Sequence, residues 1–123
     1  MKILILDDDL DRHANFKKRL IGHEVTHVET SQACIDKLKD NGPWDYCFLD
    51  HDLGGEVFVK SGKNTGYEVA EWLRDNQNKM PGNVIVHSLN PAGALNMISA
   101  IPNARHVPFA WTKVNISHEN HLE

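Results

Sequence analysis

Short apolar runs alternate along the chain with stretches in which apolar positions recur at helical spacing. That alternation is the pattern of βαβ units stacked into a parallel sheet. Ile3-Leu4-Ile5-Leu6 is apolar at every position, as a strand covered on both faces must be, and it runs into Asp7-Asp8-Asp9. Residues 10–21 predict a helix with Leu10, Phe16, Leu20 and Ile21 inward and Gly22 as its stop. Residues 25–28 predict a second strand, and Thr30 or Ser31 caps a helix carrying Ala33, Cys34, Lys37 and Leu38 that stops at Asn41-Gly42-Pro43. The third strand, residues 46–49, again ends in acid at Asp50. Residues 53–66, with Gly54, Gly55, Gly62 and Gly66 around Val57-Phe58-Val59, predict a long loop with a short hairpin. A helix over 67–76 turns Val69, Ala70, Trp72 and Leu73 inward, and Pro81-Gly82 marks the next turn. The fourth strand, residues 84–86, runs into His87-Ser88. Asn90-Pro91 then opens a helix with Leu95, Ile98 and Ile101 inward. Residues 105–109 predict a fifth strand, and 110–123 only a short or irregular tail.

Three of these strands end in groups capable of chemistry: Asp7-Asp8-Asp9, Asp50-His51-Asp52 and His87-Ser88-Leu89-Asn90. In an open parallel sheet the C-terminal strand ends form one rim, and ligands bind where the strand order reverses. If the order is 2-1-3-4-5, strands one, three and four are neighbours and the three groups meet in one crevice. Carboxylates gathered there repel one another unless a cation neutralises them, and hard oxygen donors suit Mg²⁺, Mn²⁺ or Ca²⁺. Asp8 and Asp50 with one neighbour, Asp7 or Asp52, are the expected metal ligands. Each residue also has a structural reading: Asp9 and Asp11 as helix-start acids, Asn90 as a helix cap, Ser88 as a turn residue and Arg12 as part of a solvated face. His51 between two acids and His87 on the adjacent strand are candidates for proton transfer. The other six histidines show no zinc-ligand spacing.

Charge sharpens this picture. The formal net charge is −4, but seven of the ten Asp fall in two stretches, 7–11 and 45–52. No basic tract offers the phosphate footprint of a duplex reader, so duplex DNA is not an expected partner. No apolar run is long enough to span a membrane and Met1 leads directly into a strand, which predicts a cytoplasmic protein without membrane association. Cys34 and Cys47 lack CxxC spacing and sit in apolar patterns, as buried reduced thiols do.

Asp7-Asp8-Asp9, Phe48-Leu49-Asp50, Val84-Ile85-Val86-His87-Ser88 and Gly66 resemble the response-regulator receiver domain over nearly the whole chain. The resemblance implies a flavodoxin-like or receiver-like three-layer sandwich, an α/β fold with a five-stranded parallel sheet of order 2-1-3-4-5. In receivers the acids after the first and third strands hold Mg²⁺, the latter aspartate accepts a phosphoryl group, and a Ser or Thr after the fourth strand senses it. Asp7 or Asp8, Asp50 and Ser88 match those positions. The chain departs from the pattern at Val107, where receivers carry Lys before the corresponding Pro, in a reduced or absent final helix, and in the length of loop 53–66.

Asp7-Asp8-Asp9-x-x-Arg12, Leu49-Asp50-His51-Asp52-Leu53-Gly54, Thr65-Gly66-Tyr67 and His87-Ser88-Leu89-Asn90-Pro91-x-Gly93 are similar to the divergent receivers called cyclic-phosphate processing receiver domains. That resemblance implies a metal-dependent phosphoesterase acting on a cyclic phosphate, such as a nucleoside or RNA-end 2′,3′-cyclic phosphate. Asp7, Asp8, Asp50 and Asp52 would hold Mg²⁺ or Mn²⁺, and His51, His87 and Asp50 would carry catalysis. Arg12, Ser88 and Asn90 would position the phosphate. The alternatives are an atypical receiver phosphorylated on Asp50, and a non-catalytic module that binds a protein through loop 53–66 or the surface left by the missing last helix. Residues 1–121 form one expected domain, and Leu122-Glu123 is compatible with a vector-derived scar.

Overall fold

The computed structural model of the chain describes residues 1–55 and 57–116. The expected scar at 122–123, the end of the 1–121 domain, His118 and His121 lie outside the described residues. Five parallel strands form one sheet: β1 (Lys2–Leu6), β2 (Glu24–Val28), β3 (Tyr46–Leu49), β4 (Asn83–Val86) and β5 (Arg105–His106). Their order is β2-β1-β3-β4-β5, with Leu6 level with Val28 and Leu49, and Leu49 level with Val86. The last residues of β1, β3 and β4 are therefore in register. The polar residues that follow them emerge side by side.

Period-two alternation splits the core into two layers. Leu4, Leu6, Cys47, Leu49, Val84 and Val86 face α2 (Ser31–Asp40), α3 (Gly66–Asp75) and α4 (Pro91–Ala100), where Cys34, Leu38, Val69, Leu73 and Met97 meet them. Ile3, Ile5, Tyr46, Phe48 and Ile85 face α1 (Leu10–Arg19) and α5 (Ala110–Lys113), where Phe16, Leu20, Ala110 and Trp111 close the other side. This is a flavodoxin-like α/β sandwich. Both cysteines are free and buried, and burial together with the neighbouring Cys47 raises the Cys34 thiol well above its ordinary value.

Several expectations need correction. Leu10 and Ile21 point outward, 71% and 80% exposed, because α1 stops at Arg19 and the inward face is carried by His13, Phe16 and Leu20. Leu95 is exposed as well, and α4 packs through Gly93, Ala94, Met97 and Ala100 instead. The fifth strand is shorter than residues 105–109, since Pro108 cannot donate to a sheet ladder. The described part of loop 53–66 contains turns and bends but no hairpin. The final helix is reduced to the four residues of α5, whose Trp111 is 9% exposed.

Candidate functional site

Asp7 follows β1 directly, is fully buried, and receives four hydrogen bonds on its carboxylate. Asp9 caps α1 by accepting the Arg12 backbone N–H at 3.0 Å, so α1 starts immediately beside Asp7. Helical side chains lean toward the N-terminus, which brings Arg12 back over the rim. Its Nε donates to Asp7 Oδ2 and its Nη2 to Asp7 Oδ1, both at 2.8 Å, a bidentate pair. The same Nη2 reaches Asp50 Oδ2 at 3.2 Å, and the guanidinium stacks 5.1 Å from the Trp111 ring.

Asp50 ends β3 at 5% exposure and accepts the His51 backbone N–H at 2.9 Å. His87 ends β4 at 1% exposure, its ring between Phe16 and Trp111, and its Nε2 donates to Asp7 Oδ2 at 2.8 Å. Its Nδ1 is buried and has no hydrogen-bond partner among the described residues. Burial by itself would raise the Asp7 carboxyl, but hydrogen bonds from His87 and Arg12 hold it far below the usual carboxylate range. For Asp50 burial prevails, aided by the charge of Asp7 and opposed by His87 and Arg12, and its pKa rises to about 6. Donor atoms of Asp7, Asp50 and His87 lie within 4.8 Å of one another, close enough to share one cation.

Asp8 and Asp52 have another task in this arrangement. Asp8 Oδ2 accepts the Gly55 backbone N–H. Asp52 Oδ2 accepts the Phe58 N–H at 2.7 Å, and its Oδ1 takes the His51 ring at 2.8 Å and Asn90 Nδ2 at 3.0 Å. Burial raises the Asp52 carboxyl, yet these donors bring it below its ordinary value. Both acids therefore pin loop 53–66 across the rim while still lining its cavity. His51 is fully buried behind that cavity, its Nδ1 on Asp52 and its Nε2 2.8 Å from Ser61 Oγ. Ser88 Oγ accepts the Asn90 N–H at 3.0 Å, and Asn90 Oδ1 caps α4 through Gly93 N–H at 3.0 Å. Those two side chains set the turn after β4, and neither lines the cavity.

The cavity has a volume of about 450 Å³ and is walled by Asp8, Asp9, Arg12, Asp50, Asp52, Gly55, Val57, Phe58, His87, Leu89 and Trp111. Arg12 is its basic side chain among the described residues, and half-buried Val107 lies elsewhere, next to Pro108. Sequence reasoning missed Trp111, which stands in a segment too short to show a period, and Phe58, which sat in an expected hairpin. Phe58 adopts φ 53 and Phe109 φ 62, left-handed conformations that cost a bulky residue on the order of 1–3 kcal/mol. Behind the rim, the His13 ring bonds the Asp7 carbonyl and His27. Burial, with His13 and Lys17 beside it, lowers His27 to about 4.

The family of cyclic-phosphate processing receiver domains matches residues 2–103. The chain belongs to that family. Structures similar to this receiver include the signal receiver domain of a protein described as a Luxo repressor from Vibrio parahaemolyticus, at 22% identity and TM-score 0.68, covering 98% of this chain and 88% of that one. A CheY-like response regulator receiver domain protein from Methanospirillum hungatei is 20% identical, with TM-score 0.65 and coverage of 93% and 82%. The response regulator TrrA from Thermotoga maritima, solved in complex with Mg²⁺ and BeF, is 21% identical, with TM-score 0.66 and coverage of 99% and 93%. These likenesses establish the receiver fold. No curated protein matches this receiver in sequence.

Proposed function

We propose that this receiver is a metal-dependent phosphoesterase that opens a cyclic phosphodiester, such as a nucleoside or RNA-end 2′,3′-cyclic phosphate. The observation that carries the reading is the convergence of Asp7, Asp50 and His87 within 4.8 Å, with Asp50, His87 and Arg12 on the wall of a cavity of small-ligand size and Asp7 buried directly behind them. The donor set fits a hard divalent ion that displaces Arg12, because Arg12, His87 and the Asp9 N–H fill the Asp7 carboxylate in its absence. Two buried carboxylates supply oxygen ligands, and a single guanidinium balances them. Mg²⁺ or Mn²⁺ held by Asp7 and Asp50 would supply charge neutralisation and polarise a phosphate oxygen.

The chain's own residues do the rest. Arg12 presents a guanidinium that can pair with a phosphate, and Trp111 beneath it fixes its plane. Hydrolysis adds water to phosphorus and breaks one P–O bond to the ribose, so a proton leaves the water and one is delivered to the ribose oxygen. His87 is the histidine on the cavity wall. Asp7 fixes its Nε2 tautomer and would stabilise an imidazolium, so His87 is the proton carrier of this reading. His51, with both ring nitrogens engaged away from the cavity, acts as a positioning residue for Asp52 and the loop.

Purified protein incubated with nucleoside 2′,3′-cyclic phosphates and Mg²⁺ or Mn²⁺ should yield monophosphates. Asp50→Asn and His87→Gln should each lose at least about 100-fold in rate, and His51→Gln less. Absence of turnover across all four bases and both metals overturns the proposal. Asp50 on the cavity wall also supports a second reading, a receiver phosphorylated on that side chain. Labelling by acetyl phosphate that vanishes in Asp50→Asn is its distinguishing result.

A further inference from the structure

The cavity described above has two chemistries. One part is the acids and Arg12, and the other is apolar: Val57, Phe58, Leu89 and Trp111. Val57 is 75% exposed, Phe58 69% and Leu89 43%. Single exposed apolar side chains are ordinary, but several gathered around one polar pocket mark a binding surface. We propose that this apolar wall holds the base of a nucleotide by stacking, with Phe58 as the principal contact, while the phosphate sits against Arg12. The proposal rests on the phosphoesterase reading and names the part of the substrate that reading leaves unassigned.

The two chemistries are close enough for one nucleotide to span them. Phe58 N–H is bonded to Asp52 at 2.7 Å and both residues line the cavity, and Arg12 lies over the Trp111 ring. About 450 Å³ accommodates a single nucleotide, not a strand. The wall is also fixed in advance. Phe58 is held in a left-handed conformation by Asp52, and the loop that carries it is fastened at Gly55 by Asp8, at Val59 by Asn90 and at Ser61 by His51. Three of the residues singled out in the sequence, Asp52, Asn90 and His51, thereby act on the ligand through Phe58. Among the described residues the polar side chains of the cavity are the acids, Arg12 and His87 at the rim, with the Trp111 indole beside them. Recognition by stacking is therefore tolerant of base identity, since every base has a π-face.

Calorimetric titration in Mg²⁺ with adenosine 3′-monophosphate and with ribose 3-phosphate tests the wall, because neither is a cyclic substrate. Wild-type protein should bind the nucleotide at least about tenfold more tightly, and Phe58→Ala should bring the two within about twofold. Equal affinity for both compounds in the wild type, binding of neither, or an unchanged preference in Phe58→Ala overturns the inference. A base preference that Phe58→Ala removes, in a protein that turns over no cyclic phosphate, upholds the wall and sinks the phosphoesterase reading. Turnover without base preference does the reverse.

Discussion

Arg12 sets the electrostatics of the rim. Its Nε and Nη2 cover both oxygens of fully buried Asp7, and it is the cation nearest Asp50. Asp7 and Arg12 reinforce one another, which is why the guanidinium's affinity for its proton rises although burial opposes it. Removing one partner of a buried ion pair leaves the other charge uncompensated, at a cost of about 3 kcal/mol. Arg12→Ala should lower stability by about that much in chelator-treated protein. At one fixed Mg²⁺ concentration, about 100 times the variant's Kd, the ion should return about 2.7 kcal/mol of it, more than the wild type gains at that concentration, because Arg12 competes with the ion there. Urea unfolding with and without Mg²⁺ measures both, and equal Mg²⁺ shifts in the two proteins contradict the shared site. The clustering of acids pointed to this place in the sequence, and Asp9 is the helix cap expected. The division between Asp7 with Asp50 and Asp8 with Asp52 could not be read, because it depends on which backbone N–H groups loop 53–66 brings across the rim.

Two glycines explain how the helices close on the site. A Cβ on Gly66 would lie 1.9 Å from the Asp50 carbonyl oxygen, and one on Gly93 would lie 2.4 Å from the His51 ring. α3 and α4 can approach the segment that follows β3 this closely only because both side chains are absent. Overpacking a filled interior costs about 1–3 kcal/mol, occasionally more when backbone must move. Gly66→Ala, which meets backbone at 1.9 Å, should therefore destabilise more than Gly93→Ala, which meets a side chain at 2.4 Å. Denaturant midpoints would rank them, and the opposite order would show that α3 is the looser helix. The strands were readable because residues buried on both faces leave continuous apolar runs. Helix faces were less so: Leu10, Ile21 and Leu95 fit an apolar stripe but lie on the exposed side, where nothing in the pattern distinguishes them. α5 escaped because four residues make a single turn, and its Trp111 acts through the tertiary contacts with Arg12 and His87.

At the scale of the whole molecule, the register of β1, β3 and β4 converts three separate sequence motifs into one site. Two hydrophobic layers hold that register from opposite faces, and Trp111 belongs both to the layer under α1 and to the cavity wall. The fold is that of a receiver. Its rim carries Arg12 with Asp7, Asp50 and His87, under a loop fastened by Asp8 and Asp52. On the phosphoesterase reading, this rim breaks a bond in a cyclic phosphate and does not store a phosphoryl group on Asp50. Phosphorus-31 NMR of the protein with adenosine 2′,3′-cyclic phosphate, acetyl phosphate and Mg²⁺ in one tube observes both outcomes. The cyclic resonance should decline as a monoester resonance grows, and Asp50→Asn should arrest the change. A cyclic resonance that stays constant while an acyl-phosphate signal on the protein appears would contradict it.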